Sequence, residues 1–205
     1  DLNLDSVTTA QTLNLVAGTD TIDASSMTAA LTVKFAVSND LNSSEDTITA
    51  GTSTNDVLQL TYSGAAAALD GVSGFETIKG GTDAAQTITT VDANVASTKS
   101  LTIDMTANAS TTATVDISAE TNGAITILGG ASANTVTLSV SSMGDTFTGG
   151  AGTDGVSVQD DQLTSADTIN GVSGTDTLTI VGNGTIADGD FTNVTNFDTL
   201  VLGTG

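Results

Sequence analysis

The sequence predicts an all-β chain folded as an irregular parallel β-solenoid, in the form of a β-helix or β-roll. Three observations carry this. First, a short unit of acidic residue, Thr and apolar residue recurs along the chain. It stands at Asp20-Thr21-Ile22, Asp46-Thr47-Ile48, Glu76-Thr77-Ile78, Asp145-Thr146-Phe147, Asp167-Thr168-Ile169, Asp176-Thr177-Leu178 and Asp198-Thr199-Leu200. Each copy places a carboxylate in a turn before a short strand, so the repeat predicts many equivalent strand–turn steps. Second, Thr makes up about a fifth of the chain and alternates with apolar residues, the pattern of a half-buried pleated strand. Third, there is no Pro, which favours a regular stack over a loop-rich sandwich.

The strands follow in order. Period-two runs lie at Leu31–Val37, Leu101–Met105, Ala124–Leu128 and Thr135–Val140, each bounded by Gly, Asn, Asp or Ser. The one helix candidate is Gly64–Leu69, too short to stand alone. In a strand, alternate residues face one side. Ile48, Ile78, Phe147, Val156, Ile169, Leu178 and Leu200 follow their turns at matching offsets and are expected to line apolar columns inside the stack.

A longer unit appears three times, at Gly71–Ile78, Gly171–Leu178 and Asn193–Leu200, with Asn replacing Gly in the third. Gly and Asn tolerate left-handed backbone angles best, so one turn geometry used three times is expected. The correspondence extends upstream: residues 31–78 resemble residues 134–178. Two tandem domains or one solenoid grown by copying coils would both produce this. Strand texture runs unbroken through residues 84–130, which favours one continuous solenoid over residues 1–205. The chain opens and closes within strand-like text and is read as a segment of a longer one.

Composition excludes several function classes. There are 24 acidic residues against three basic ones, Lys34, Lys79 and Lys99, for a net charge of -21. Such a chain repels nucleic acid and anionic membranes. No apolar run is long enough for membrane insertion. Without Cys there are no disulfides, and without His there is no Ser-His-Asp chemistry. Self-repulsion at this charge makes divalent cations an obvious stabiliser.

Gly149-Gly150-Ala151-Gly152-Thr153-Asp154-Gly155-Val156-Ser157 fits the nonapeptide G-G-x-G-x-D-x-U-x at every fixed position. The glycines allow a tight turn with inward carbonyls, the Asp supplies a hard anionic oxygen, and the apolar residue starts a core strand. Calcium takes six to eight such oxygens. Asp145 precedes Asp154 by nine residues, and Asp167 precedes Asp176 by nine. The turns are therefore expected to bind Ca2+, with Asp20, Asp46 and Asp83 as weaker candidates. Asn55 stands in the first copy where Asp154 stands in the second.

At these residues the chain resembles the RTX calcium-binding proteins, and more narrowly the RTX-like bacterial surface-layer proteins. The second likeness rests on Phe75-Glu76-Thr77-Ile78 and Phe197-Asp198-Thr199-Leu200 in Thr/Ala/Gly-rich text. The resemblance implies a parallel β-roll with calcium between turns, secretion through a one-step (type I) channel, and a place at the extracellular cell surface. It implies that Asp154 gives its carboxylate and Gly150 and Gly152 their backbone oxygens, with Asp145, Asp167 and Asp176 as ligands of the same kind. Its implied partners are copies of itself in a lattice or filament, and cell-surface polysaccharide through parts outside this segment. The chain departs from a uniform roll, since only one nonapeptide is complete and position 172 offers no acid eighteen residues after Asp154.

The expected function is that of a structural protein of a bacterial surface array, stabilised by calcium. One alternative is the calcium-binding stalk of a secreted RTX adhesin. Another is a carbohydrate-active solenoid using Asp160 and Asp161, against which stand the absence of Trp and the single Tyr62. A Gly-Thr-Asp-Thr turn can also be only a turn, with Asp capping backbone N–H groups. The Thr175-Thr177-Thr179 pattern of ice-binding solenoids is explained more simply by ordinary strand Thr.

Overall fold

The computed structural model describes residues 1–16, 18–35, 46–61, 66–82, 85–109 and 112–203. Among these the chain forms twenty short strands. In chain order they are β1 (Leu2–Asn3), β2 (Gln11–Leu15), β3 (Thr21–Asp23), β4 (Leu31–Phe35), β5 (Thr47–Thr49), β6 (Val57–Leu60) and β7 (Ala66–Ala68). Next come β8 (Val72–Ser73), β9 (Thr77–Lys79), β10 (Gln86–Thr89), β11 (Ser100–Asp104), β12 (Ala113–Asp116), β13 (Ala124–Leu128) and β14 (Asn134–Thr137). The last six are β15 (Thr146–Thr148), β16 (Gly155–Gln159), β17 (Thr168–Asn170), β18 (Thr177–Val181), β19 (Val194–Thr195) and β20 (Thr199–Leu202). Every pairing is parallel. The chain is a β-solenoid of about eight turns, as the repeat predicts.

Three sheets form the walls. The longest has nine strands in the order β19-β17-β15-β13-β11-β9-β6-β4-β2 and runs through every coil. A seven-stranded sheet, β20-β18-β16-β14-β12-β10-β7, serves the later coils, and a four-stranded sheet, β1-β3-β5-β8, the earlier ones. The four-stranded sheet ends where a short 3-10 helix (Asp92–Asn94) takes its place. There the buried Asn94 donates from Nδ2 to the carbonyls of Leu69 and Val72, both at 2.7 Å. That caps backbone acceptors beside the last strand of this sheet.

The apolar residues align in columns along the inner face of each sheet. In the longest sheet Leu58, Ile78, Ile103, Ile127, Phe147 and Ile169 stand in register and are buried. In the seven-stranded sheet the column is Ile88, Val115, Val136, Val156, Leu178 and Leu200. Six of the seven residues singled out from the sequence are buried; Leu200 is 53% exposed, because no described coil stacks beyond β20. The outward column of the longest sheet is mostly hydroxyl: Thr12, Thr32, Thr77, Thr102, Thr126, Thr146 and Thr168, interrupted by Val57.

Three local expectations change. The helix candidate at Gly64–Leu69 is a strand over Ala66–Ala68, pairing with β10. So short a segment cannot nucleate a helix, while pairing satisfies its backbone at once. The thrice-used turn is used twice: Gly74 (φ 81) and Asn196 (φ 57) each follow a two-residue strand in left-handed conformation. In the second copy β17 ends at Asn170, so the turn is longer and Val172 takes φ 73. The two resembling segments also occupy different walls. β4 lies in the longest sheet and β14 in the seven-stranded one, while β5 lies in the four-stranded sheet and β15 in the longest. Each segment of the first copy sits one wall further round in the second. The run at residues 31–37 is described only to Phe35, and Tyr62 and Asp83 lie outside the described residues.

Leu178 is 1% exposed and Thr179 points outward beside it. Leu178→Ala is expected to cost about 2–5 kcal/mol. Thr179→Ala should stay within about 0.5 kcal/mol. Denaturant unfolding of both variants checks the inward and outward register, and reversed costs would contradict it.

Candidate functional site

The acidic residues of the repeated unit stand one place before the strands, stacked in columns. In the longest sheet Asp56 is in register with Glu76, and Asp145 with Asp167. In the seven-stranded sheet Asn134, Asp154, Asp176 and Asp198 form one continuous column. In the four-stranded sheet Asp20 stands beside Asp46. Asp56, Asp145, Asp154, Asp167 and Asp176 are all buried, at 4% exposure or less.

Their oxygens face N–H groups, in one recurring pattern. Asp154 Oδ1 accepts the Asn134 backbone N–H at 2.8 Å, twenty residues earlier, and Oδ2 accepts Gly150 N–H at 3.0 Å from its own turn. Asp56 does the same with Leu31 N–H at 2.7 Å and Gly51 N–H at 3.0 Å. Asp145 Oδ1 accepts Ile125 N–H at 3.1 Å, and its Oδ2 accepts the Ser139 N–H and hydroxyl at 3.1 and 2.6 Å. Asp167 accepts Asp145 N–H and Thr164 N–H, each at 2.8 Å, and the Thr164 hydroxyl at 3.2 Å. One oxygen holds the preceding coil and the other closes the residue's own turn.

The backbone completes the grip. The carbonyl of Asp154 accepts Thr177 N–H at 2.8 Å, while Asp154 N–H donates to Asp176 Oδ1 at 2.8 Å. Asp145 repeats this with Thr168 and Asp167, and Asp20 with Thr47 and Asp46. The pair Asp-Thr therefore recurs because its side chain and following amide bind both polar groups of the equivalent residue one coil back. The nine-residue spacing carries the chain from one wall to the next, Asp145 opening β15 and Asp154 opening β16. The full coil there is 22 residues, not the eighteen of a regular roll.

The glycines of the nonapeptide serve the stacking. A Cβ on Gly150 would run into the Gly130 carbonyl oxygen, and one on Gly152 into the backbone of Ser132 and Ala133. One on Gly149 would strike Asp154 Oδ2. The Gly150 carbonyl accepts the backbone N–H and hydroxyl of Ser173, both at 3.3 Å.

This arrangement does not fit the calcium site expected of Asp145, Gly150, Gly152, Asp154 and Asp167. A calcium shell is built of oxygens, whereas the oxygens of these carboxylates already face donors. Among the described residues no group of three or more acidic side chains is placed to share a metal ion. Asp176 differs: Oδ1 accepts Asp154 N–H, but Oδ2 is buried with no hydrogen-bond partner. The donor that would serve it, Val172 N–H, is taken by Asn170 Oδ1 at 2.9 Å. Asp160 donates its N–H to Val181 and holds Gly184 N–H with its carboxylate, and Asp161 beside it is exposed.

Sequence reading missed the neutral members of these columns. Gln86 Oε1 accepts Gly81 N–H at 2.7 Å and Asn134 Oδ1 accepts Gly130 N–H at 3.1 Å, as Asp154 does for Gly150. Glu120 was missed too: fully buried, it gathers the N–H groups of Thr121, Asn122 and Gly123 on Oε1 at 2.7–3.0 Å. The shared signal is an acceptor placed a few residues after a Gly or before one.

The fold defines a parallel β-solenoid whose coils are tied by buried side-chain acceptors. No protein-family model, curated protein or solved structure matches the chain. Among the described residues no helix is long and apolar enough to cross a membrane.

Burial pushes the carboxyls of Asp56, Glu76, Asp145 and Asp176 above the usual range. Neighbouring charges add to it: Asp56 at Glu76, Asp167 at Asp145, Asp154 and Asp198 at Asp176. A carboxyl so raised binds its proton more tightly folded than unfolded. Its favourable contribution is full below the unfolded pKa and is lost as pH rises through the folded one. The exposed Asp23 and Asp92 are lowered by bonds from Ser25 and Thr121, and their contribution is lost only as pH falls below the ordinary range. The melting temperature should therefore rise between neutral and mildly acidic pH, as scanning calorimetry at fixed ionic strength will show. A steady fall over that interval would contradict it. For the glycines, Gly150→Ala should cost about 1–3 kcal/mol through overpacking. Gly155→Ala, which meets open space, should cost little by the same measurement.

Proposed function

We propose that this chain is a passive structural segment of a bacterial cell-surface array, not an enzyme. The supporting observation is that most of the described coils repeat the same parts: apolar side chains inside, hydroxyls outside, acceptors at the strand entries. Asp160, half of the one carboxylate pair considered for sugar hydrolysis, is tied to Gly184 of the next coil. A rod of equivalent coils is suited to span distance and present a repeating face.

Calcium in this reading acts between copies. At a net charge of -21, copies repel one another in solution. Exposed carboxylates such as Asp23, Asp70, Asp161 and Asp188 are free of the interior columns and can share divalent cations with a neighbouring copy. Electron microscopy and light scattering with calcium and with chelator test this. Ordered sheets or filaments that form with calcium and disperse with chelator are the expected result. Dispersed rods under both conditions would overturn assembly and favour an adhesin stalk.

A further inference from the structure

We propose that the strand-entry aspartates are acceptor-only staples between coils, so that the folded solenoid does not depend on calcium. The inference concerns the single molecule and stands apart from assembly into an array. An ionised carboxylate differs from an amide in having two acceptor oxygens and no donor. The structure uses that difference. Where both the preceding coil and the residue's own turn present an N–H, an Asp stands at the position: Asp56, Asp145, Asp154 and Asp167. Where the preceding coil is served by a backbone carbonyl, an amide suffices. Ala113 N–H donates to the Ala133 carbonyl at 3.1 Å, and Asn134 beside it needs only to accept Gly130 N–H. Its spare Nδ2 donates to Asp154 Oδ1 and to the carbonyls of Gly130 and Ser132. The column thus carries Gln86, Asn134 and Asp154 in one role, that of closing their own turns, and the negative charge is incidental to it.

Asp176 is the internal control. It is as buried as Asp154 and adjoins it in the column, yet only Oδ1 is engaged. An amide at 176 keeps the bond from Asp154 N–H through its oxygen. Its NH2 falls where no donor points, and where the Asn196 carbonyl crowds the same side of Gly171. An amide at 154 has no such outlet: its NH2 faces either Gly150 N–H or the two donors of Asn134. A calcium-ligand role makes both residues equally necessary, and simple charge repulsion makes both substitutions equally favourable. The staple separates them.

The experiment compares thermal melts of the wild-type chain, Asp154→Asn, Asp167→Asn and Asp176→Asn. Each is measured at concentrations where light scattering shows no assembly, with calcium chloride and with chelator at matched ionic strength. The expected result is a wild-type melting temperature indifferent to calcium. Asp154→Asn and Asp167→Asn should lose about 2–10 °C, and Asp176→Asn should stay within about 2 °C of wild type. If Asp154→Asn does not fold, the contrast between Asp167→Asn and Asp176→Asn carries the test. Equal losses at 154, 167 and 176, or no loss at any of them, would overturn the staple. So would a calcium-dependent rise in the wild-type melt that the substitutions abolish, which would return these residues to the metal.

Discussion

A buried N–H at each strand entry must find an acceptor in the coil above, and the structure is organised around that need. In a parallel ladder most backbone groups pair from strand to strand. At several strand entries, those of Leu31, Ile125, Asn134, Asp145 and Asp154 among them, a side-chain oxygen of the next coil takes the place of a backbone carbonyl. An unmet donor there would cost about 1–3 kcal/mol per coil, on the scale of a large buried side chain. The acid that supplies the oxygen is itself buried, so the two interactions justify each other. The donors offset part of the cost of burying the acid, and they are satisfied by its oxygens.

Close stacking is the second half of that arrangement. The side-chain oxygen reaches the coil below only if the turns approach within backbone contact. That explains Gly149, Gly150 and Gly152 beside Asp154. Gly-Gly and Asp in one turn are thus parts of a single mechanical device. The same residue types serve calcium-binding turns, because a turn that brings carbonyls and carboxylates together is useful for either purpose. What distinguishes the two uses is which atoms the oxygens face.

Much of the fold was legible in the sequence. The Asp-Thr-apolar unit located the strand entries, and Ile78, Phe147, Val156, Ile169 and Leu178 were placed correctly in the core by period two alone. The chemistry of the acids was not legible, because the donor to Asp154 comes from Asn134, a whole coil away, and no local pattern reports it. The hardness that makes a carboxylate good for calcium also makes it good for an amide N–H. The neutral members, Gln86 and Asn134, were invisible for a related reason: a search for charge passes over residues that do the same work without it. At the exchange of walls, from the four-stranded sheet to the seven-stranded one, Asn94 reaches Leu69 and Val72 across more than twenty residues. The strand-like texture is the same on both sides of that change.

The grip of the strand-entry aspartates has a direction, since Asp56, Asp145, Asp154, Asp167 and Asp176 each reach back to the coil before. Every coil is therefore finished by its successor, and the seam between any two is chemically the same wherever an aspartate follows. Length in such a molecule comes in whole coils. Excising the 22 residues that separate equivalent points at Asp154 and Asp176 would bring Asn134 beneath another aspartate, with its amide still met. Removing ten residues would leave a donor facing a hydroxyl or a methyl. A lineage of this chain can lengthen or shorten by copying and loss of complete turns, much as text is edited by the line, while smaller insertions are confined to the bends where no amide waits to be covered.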